Sequence, residues 1–143
     1  HIASFHPPKA FRADQSDEPE SIFRDCDCVI EGDTLAVKKI TFLFKQLGAK
    51  VVPINAANKT LYHAAAVMAS NYLVTLAAAA IELLNKAGIQ EDIAKAMVAN
   101  LMTSSLHNIQ QAKNLAAALT GPLQRGDLNT LKMHQEALPE GTI

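Results

Sequence analysis

The chain has 143 residues, with 13 Lys and Arg against 14 Asp and Glu, so its formal net charge is −1. That length fits one ordinary domain of about 100–200 residues, and 49% hydrophobic residues are too many for a disordered chain. A charge this close to zero argues against nucleic acid or a membrane as partner, because either would favour a basic excess. Twenty-four residues are Ala, crowded between positions 56 and 118. The first residue is His1, opening directly into an apolar segment, and the expectation is that the chain is a fragment.

In chain order, Ile2 to Phe5 is a short apolar run stopped by His6, Pro7 and Pro8, the pattern of a strand entering a rigid loop. Lys9 to Ser21 is polar and aperiodic and is expected to be an exposed loop. Cys26 to Ile30 alternates as a strand ended by Gly32, and Asp33 is placed to cap the helix that follows. Ala36, Ile40, Leu43, Phe44 and Leu47 recur at helical spacing as its inward face, Lys38 and Lys39 lie on its wet side, and Gly48 stops it. Val51 to Ile54 reads as a third strand. Strand, helix and strand at this spacing suggest the edge of an open sheet covered by helices.

After Ile54 the strand signal ends. Asn55 or Asn58 can cap a helix running to about Lys86, stopped by Gly88. Its Ala content predicts a helix enclosed by others, some from a second subunit, and polar interruptions from His63 to Glu82 argue against a membrane span. A further helix starts near Gln90 and the acidic Glu91-Asp92 and runs to Thr120-Gly121-Pro122, with Ile93, Met97, Leu101, Met102, Leu106 and Ile109 at helical spacing and a kink expected near Ser104 and Ser105. Gln124 to Gly126 reads as a polar turn, and Asp127 caps a last helix to about Leu138.

Three constellations could carry chemistry. At about 100° per residue, Lys59, His63 and Ser70 fall on one stripe of the long helix and Asn71 flanks it. His63 suits proton transfer, Lys59 supplies positive charge, and Asn71 can both donate to and accept from a carbonyl or hydroxyl. The structural alternative is that these residues cap the helix start and bond neighbouring backbone. Second, Thr120, Gly121, Arg125 and Asp127 surround a helix start whose free N–H groups, with Arg125, could receive an anionic group; the alternative is a capped turn. Third, His6 sits at the carboxyl end of a strand, where open α/β sheets bind ligands, although a turn residue explains it equally. Cys26 and Cys28 lack the further ligands a metal site needs and read as small core residues, so no metal is expected. Without a disulfide framework, a reducing, cytoplasmic setting is the default. None of the six glycines forms the glycine-rich turn of a dinucleotide cradle.

The runs SFHPPKAF, VIEGD, NKTLYHAAAVMASNYLVTLAAAAIELLNKAGI and LTGPLQRGDLNTLKMHQEAL resemble the Rossmann-like proteins carrying domain of unknown function 2520. The resemblance implies an NAD(P)-dependent oxidoreductase whose helical C-terminal domain is similar to that of 6-phosphogluconate dehydrogenase. A mostly α chain then follows: residues 1–54 form the last strands and one helix of a Rossmann-like α/β domain, and residues 55–143 form an all-helical substrate and dimerisation domain. The cofactor would be NADP or NAD, the substrate a small hydroxy- or keto-acid, and the assembly a homodimer formed through the helical domain, with the glycine-rich half upstream. A similar His-Pro follows a strand in prephenate dehydrogenases, which would put His6 near the nicotinamide. Lys59, His63 and Asn71 would occupy the helix where related dehydrogenases keep a catalytic Lys and Asn, although His63 stands where Lys-x-x-x-Asn would have its Asn. Ser70, Thr120, Gly121, Arg125 and Asp127 would border the substrate cleft. The other function open to the sequence is a non-catalytic helical dimerisation or ligand-binding module.

Overall fold

Alternation along one strand organises the first part of the chain. In β2, Asp27–Gly32, the side chains of Cys28 and Ile30 are fully buried, whereas Val29 and Glu31 face the other way and are half-buried. The computed structural model describes residues 1–9 and 22–139. The expected loop Lys9 to Ser21 therefore lies outside the described residues, apart from Lys9.

β1, Ala3–His6, pairs antiparallel with β2, setting Ser4 opposite Glu31 and His6 opposite Val29. β3, Lys50–Pro53, pairs parallel with β2 on its other side, so the order is β1-β2-β3. Parallel neighbours need a crossover, and α1, Thr34–Gln46, supplies it. Its Phe44 stacks on Phe5 at 3.8 Å between ring centroids, and Phe23 packs edge-on against Phe44 at 4.9 Å. These rings cover one face of the sheet. Ser4 and His6 point to the opposite face because side chains alternate along β1. Gly32 is the position where a side chain cannot fit. Its φ is +134°, and a Cβ there would lie 2.4 Å from the Ile2 carbonyl oxygen.

The expected inward face of α1 needs correction. Ala36, Ile40 and Phe44 are half-buried, but Leu43 and Leu47 are exposed. The three strands are too narrow to cover a whole helical stripe.

Asn55 accepts a hydrogen bond from the Ala57 N–H at 2.9 Å and starts a 3-10 turn, Ala56–Asn58. It leads into α2, Lys59–Lys86. The chain divides into two compact units, His1–Tyr72 and Leu73–Ile143, and the division falls within α2. Among the described residues nothing encloses this helix as expected, since none of its residues is buried. By length and composition alone α2 is sufficient to cross a membrane.

In the second unit, Gly88 follows α2 with φ +90°, the left-handed conformation that ends helices. α3 spans Glu91–Gln111. Its buried positions are Ala94 and Val98, whereas Ile93, Met97, Leu101, Leu106 and Ile109 are exposed. The hydroxyls of Thr103, Ser104 and Ser105 each bond the carbonyl four residues back, and the helix continues through them. It stops nine residues before Thr120, because Asn114 turns its side chain to the Ala117 N–H and caps a separate short helix, α4, Leu115–Ala118. The expected polar turn at Gln124 to Gly126 is instead the end of a helical turn, α5, Gly121–Arg125, with Pro122 in its first turn. α6, Leu128–Ala137, follows. The chain is thus mostly helical, with a small Rossmann-like sheet at its start.

Candidate active site

The start of α2 meets the sheet face that carries Ser4 and His6. Lys59 donates to Ser4 Oγ at 2.9 Å and to Glu31 Oε1 at 2.8 Å. Ser4 and Glu31 are cross-strand partners, so one ammonium bridges β1 and β2 and ties the helix start to both. Glu31 has 15% of its side chain exposed and Lys59 53%.

One helical turn further on, the Tyr62 hydroxyl lies 2.7 Å from His6 Nδ1, and the two rings meet edge to face at 5.6 Å. The His63 ring stands 6.3 Å from the His6 ring, also edge on. Burial raises the Tyr62 phenol above its ordinary value, with the neighbouring Cys28 and Cys26 adding to the effect, so it stays protonated.

These side chains open on a cavity of about 490 Å³, lined by His6, Pro8, Lys9, His63, Ala66, Val67, Ala69, Ser70 and Asn71. That volume suits a small ligand with an apolar wall and a few convergent polar groups. The Ser70 hydroxyl bonds the Ala66 carbonyl at 2.7 Å and lies 3.3 Å from Asn71 Oδ1. Its first bond is the helix back-bonding expected of the structural alternative.

The structure therefore brings His6, His63, Ser70 and Asn71 around one cavity, and gives Lys59 to the clamp on Ser4 and Glu31. Thr120, Gly121, Arg125 and Asp127 lie in the second unit. There Thr120 precedes α5, Gly121 and Arg125 are its first and last residues, and Asp127 caps α6, accepting from the Thr130 N–H at 3.1 Å and the Thr130 hydroxyl at 2.7 Å. These bonds hold the Asp127 carboxyl below its usual range. Sequence reasoning missed Tyr62 and Lys9. Tyr62 sits three residues after Lys59 and next to His63, so the helical stripe reaches it. Lys9 follows the His-Pro-Pro run by too little to show any pattern.

The cavity's lining combines hydrogen-bonding and apolar groups, which fits a small, partly polar ligand. His6, His63 and Asn71 carry hydrogen-bonding groups, and Ala66, Val67 and Ala69 are the apolar part of the lining. No glycine-rich phosphate cradle occurs in these 143 residues.

Known proteins place this geometry in a wider frame. Over 94% of the chain, the fold is similar to that of protein TM1727 from Thermotoga maritima, at 26% identity and a TM-score of 0.78. Over 97% it is similar to that of BF3122 from Bacteroides fragilis, a protein provisionally named NADP oxidoreductase, at 22% identity and a TM-score of 0.74. The chain spans 51% of the length of each. No curated protein matches it. Residues 26–142 match the family described as a domain of unknown function, DUF2520, and the chain belongs to that family.

Proposed function

We propose that the chain supplies the acid–base and substrate-orienting face of an NAD(P)-dependent oxidoreductase acting on a small hydroxy- or keto-acid. The observation that carries this reading is the cavity joining His6 at the end of β1 to His63, Ser70 and Asn71 on one face of α2. The likeness of fold to a protein provisionally named NADP oxidoreductase supports it.

In this reading a nicotinamide held beside His6 and the apolar Ala66, Val67 and Ala69 would supply hydride chemistry when bound. His63 gives its proton to the substrate oxygen in reduction and takes it back in oxidation. Asn71 holds that oxygen by donating an amide N–H. Lys9, at the cavity wall, places positive charge beside the substrate carboxylate. Lys59 acts at one remove, holding α2 on the sheet so that His63 faces His6.

The test gives the protein, as its gene encodes it, reduced NADP or NAD and a panel of small keto-acids, and follows the loss of reduced-nicotinamide absorbance. Turnover is expected, falling by about 10²–10⁴-fold in His63→Ala, the range for removing a general acid–base. No turnover across the panel, or unchanged turnover in His63→Ala, overturns the proposal.

One observation favours an assembly role as well. Leu61, Met68 and Tyr72 share one stripe of α2 and are more than half exposed, an apolar surface that a second copy would cover. We infer a homodimer through the helical part, and sedimentation tests it: a strictly monomeric protein at micromolar concentration removes the inference.

A further inference from the structure

The ring nitrogens of His6 are not equivalent. Nδ1 lies 2.7 Å from the Tyr62 hydroxyl, across 56 residues of chain, which leaves Nε2 as the ring nitrogen available to the cavity that His6 lines. The edge-to-face packing of the two rings holds the imidazole plane as well as its hydrogen bond. The clamp of Lys59 on Ser4 and Glu31, one helical turn before Tyr62, secures the same piece of α2 against the same two strands. Tyr62 is thus placed by two independent attachments at the end of β1.

We propose that Tyr62 is a positioning residue: its hydroxyl donates to His6 Nδ1 and so holds neutral His6 with its proton on Nε2, aimed into the cavity. The partner of one ring nitrogen decides what the other can do. His6 then acts in the cavity as a hydrogen-bond donor toward a substrate oxygen and not as a base. Proton transfer is left to His63, whose ring stands 6.3 Å away. Burial keeps the phenol protonated and therefore able to donate. Two histidines beside one cavity acquire different duties because one of them has a tyrosine behind it. This assignment of duties rests on the oxidoreductase reading above; the tautomer does not.

The experiment is nitrogen NMR of the histidine side chains in the full chain, with the His6 resonances assigned by their disappearance in His6→Gln. In the unaltered protein, His6 is expected to carry its proton on Nε2 when neutral. A proton on Nδ1 overturns the proposal without any variant being needed. In Tyr62→Phe, which keeps the ring and its packing, the hydrogen-bonded Nδ1 signal is expected to be lost. An unchanged Nδ1 signal overturns it as well. Where turnover is present, Tyr62→Phe is expected to lower kcat several-fold with little change in KM, and Tyr62→Leu to lower it further. Absence of turnover in the unaltered protein refutes the oxidoreductase reading alone, since the tautomer is read without substrate.

Discussion

Replacing Lys59 by Met separates a clamp from a catalyst. The ammonium makes two hydrogen bonds, to Ser4 Oγ at 2.9 Å and to Glu31 Oε1 at 2.8 Å. Exposed ion pairs contribute about 0–1 kcal/mol, and hydrogen bonds to charged groups about 1.5–3 kcal/mol. This pair lies between those cases, since half of Lys59 is in solvent and most of Glu31 is not. Met keeps the aliphatic stem but leaves the Glu31 carboxylate poorly hydrated and without its cation, so the expected loss is about 1–2 kcal/mol. For a chain of this size that corresponds to a fall in Tm of about 3–6 °C. Thermal melts followed by circular dichroism on Lys59→Met, Glu31→Gln and the double variant form the assay. The two single changes should each destabilise, and the double variant should be milder than their sum by about 1 kcal/mol. Additive effects, or a Lys59→Met protein that melts with the unaltered one, would refute the clamp and return Lys59 to the list of groups free to act on substrate.

Other outcomes follow from single residues. Gly32→Ala should cost at least about 2 kcal/mol, since φ +134° is strained for any side chain and the new Cβ would meet the Ile2 and Ala3 backbone; an unchanged urea midpoint would contradict the β1–β2 register. The buried Cys28 thiol is pushed up to about 12 from 9.0 by burial first and by Cys26 and Asp27 beside it, so iodoacetamide on the folded protein near neutral pH should label Cys26 and spare Cys28 until denaturant is added. The same shift has a stability consequence: a folded value above the unfolded one gives a contribution that is complete below pH 9.0 and lost as pH rises toward about 12, which base titration of the melting temperature would show. Asp127 has the opposite sign. Its folded value is lowered by the Thr130 hydroxyl and N–H, so its contribution is present above the ordinary 3.8 and lost as pH falls through the lower folded value; Asp127→Ala should lose helical circular dichroism at neutral pH and show a weaker acid transition.

Local patterns carried much of this molecule. Alternation at Cys26 to Ile30 marked β2, and Asn55 and Gly88 bracketed the run that contains α2; Asp33 and Gly48 bound α1, but the Asp33 carboxylate accepts from the Ile2 N–H and makes no cap bond to the helix. Each of these rests on torsion preferences and on periods of 2 or 3.6 that are written into neighbouring residues. The same periodicity put His63, Ser70 and Asn71 together, and they do line one cavity. It was less successful for α3, where the large apolar residues kept the helical period but the buried positions are Ala94 and Val98. Period names a face, and what covers that face lies elsewhere in the chain.

The roles within the site came from contacts that no local window contains. Lys59 shared a stripe with His63, yet it turns to Glu31, 28 residues away, because antiparallel pairing sets Ser4 opposite Glu31 beneath the helix start. Tyr62 lay one position from a residue already singled out, and its partner is His6, 56 residues away. A helix follows from bonds between near neighbours and an extended strand from local torsion preference and alternation, whereas the register of β1 on β2 and the seating of α2 are settled by which distant groups satisfy one another. That is why the chain's elements and its family motifs were legible from residue order, and why the division of labour between His6, Tyr62, His63 and Lys59 required the fold.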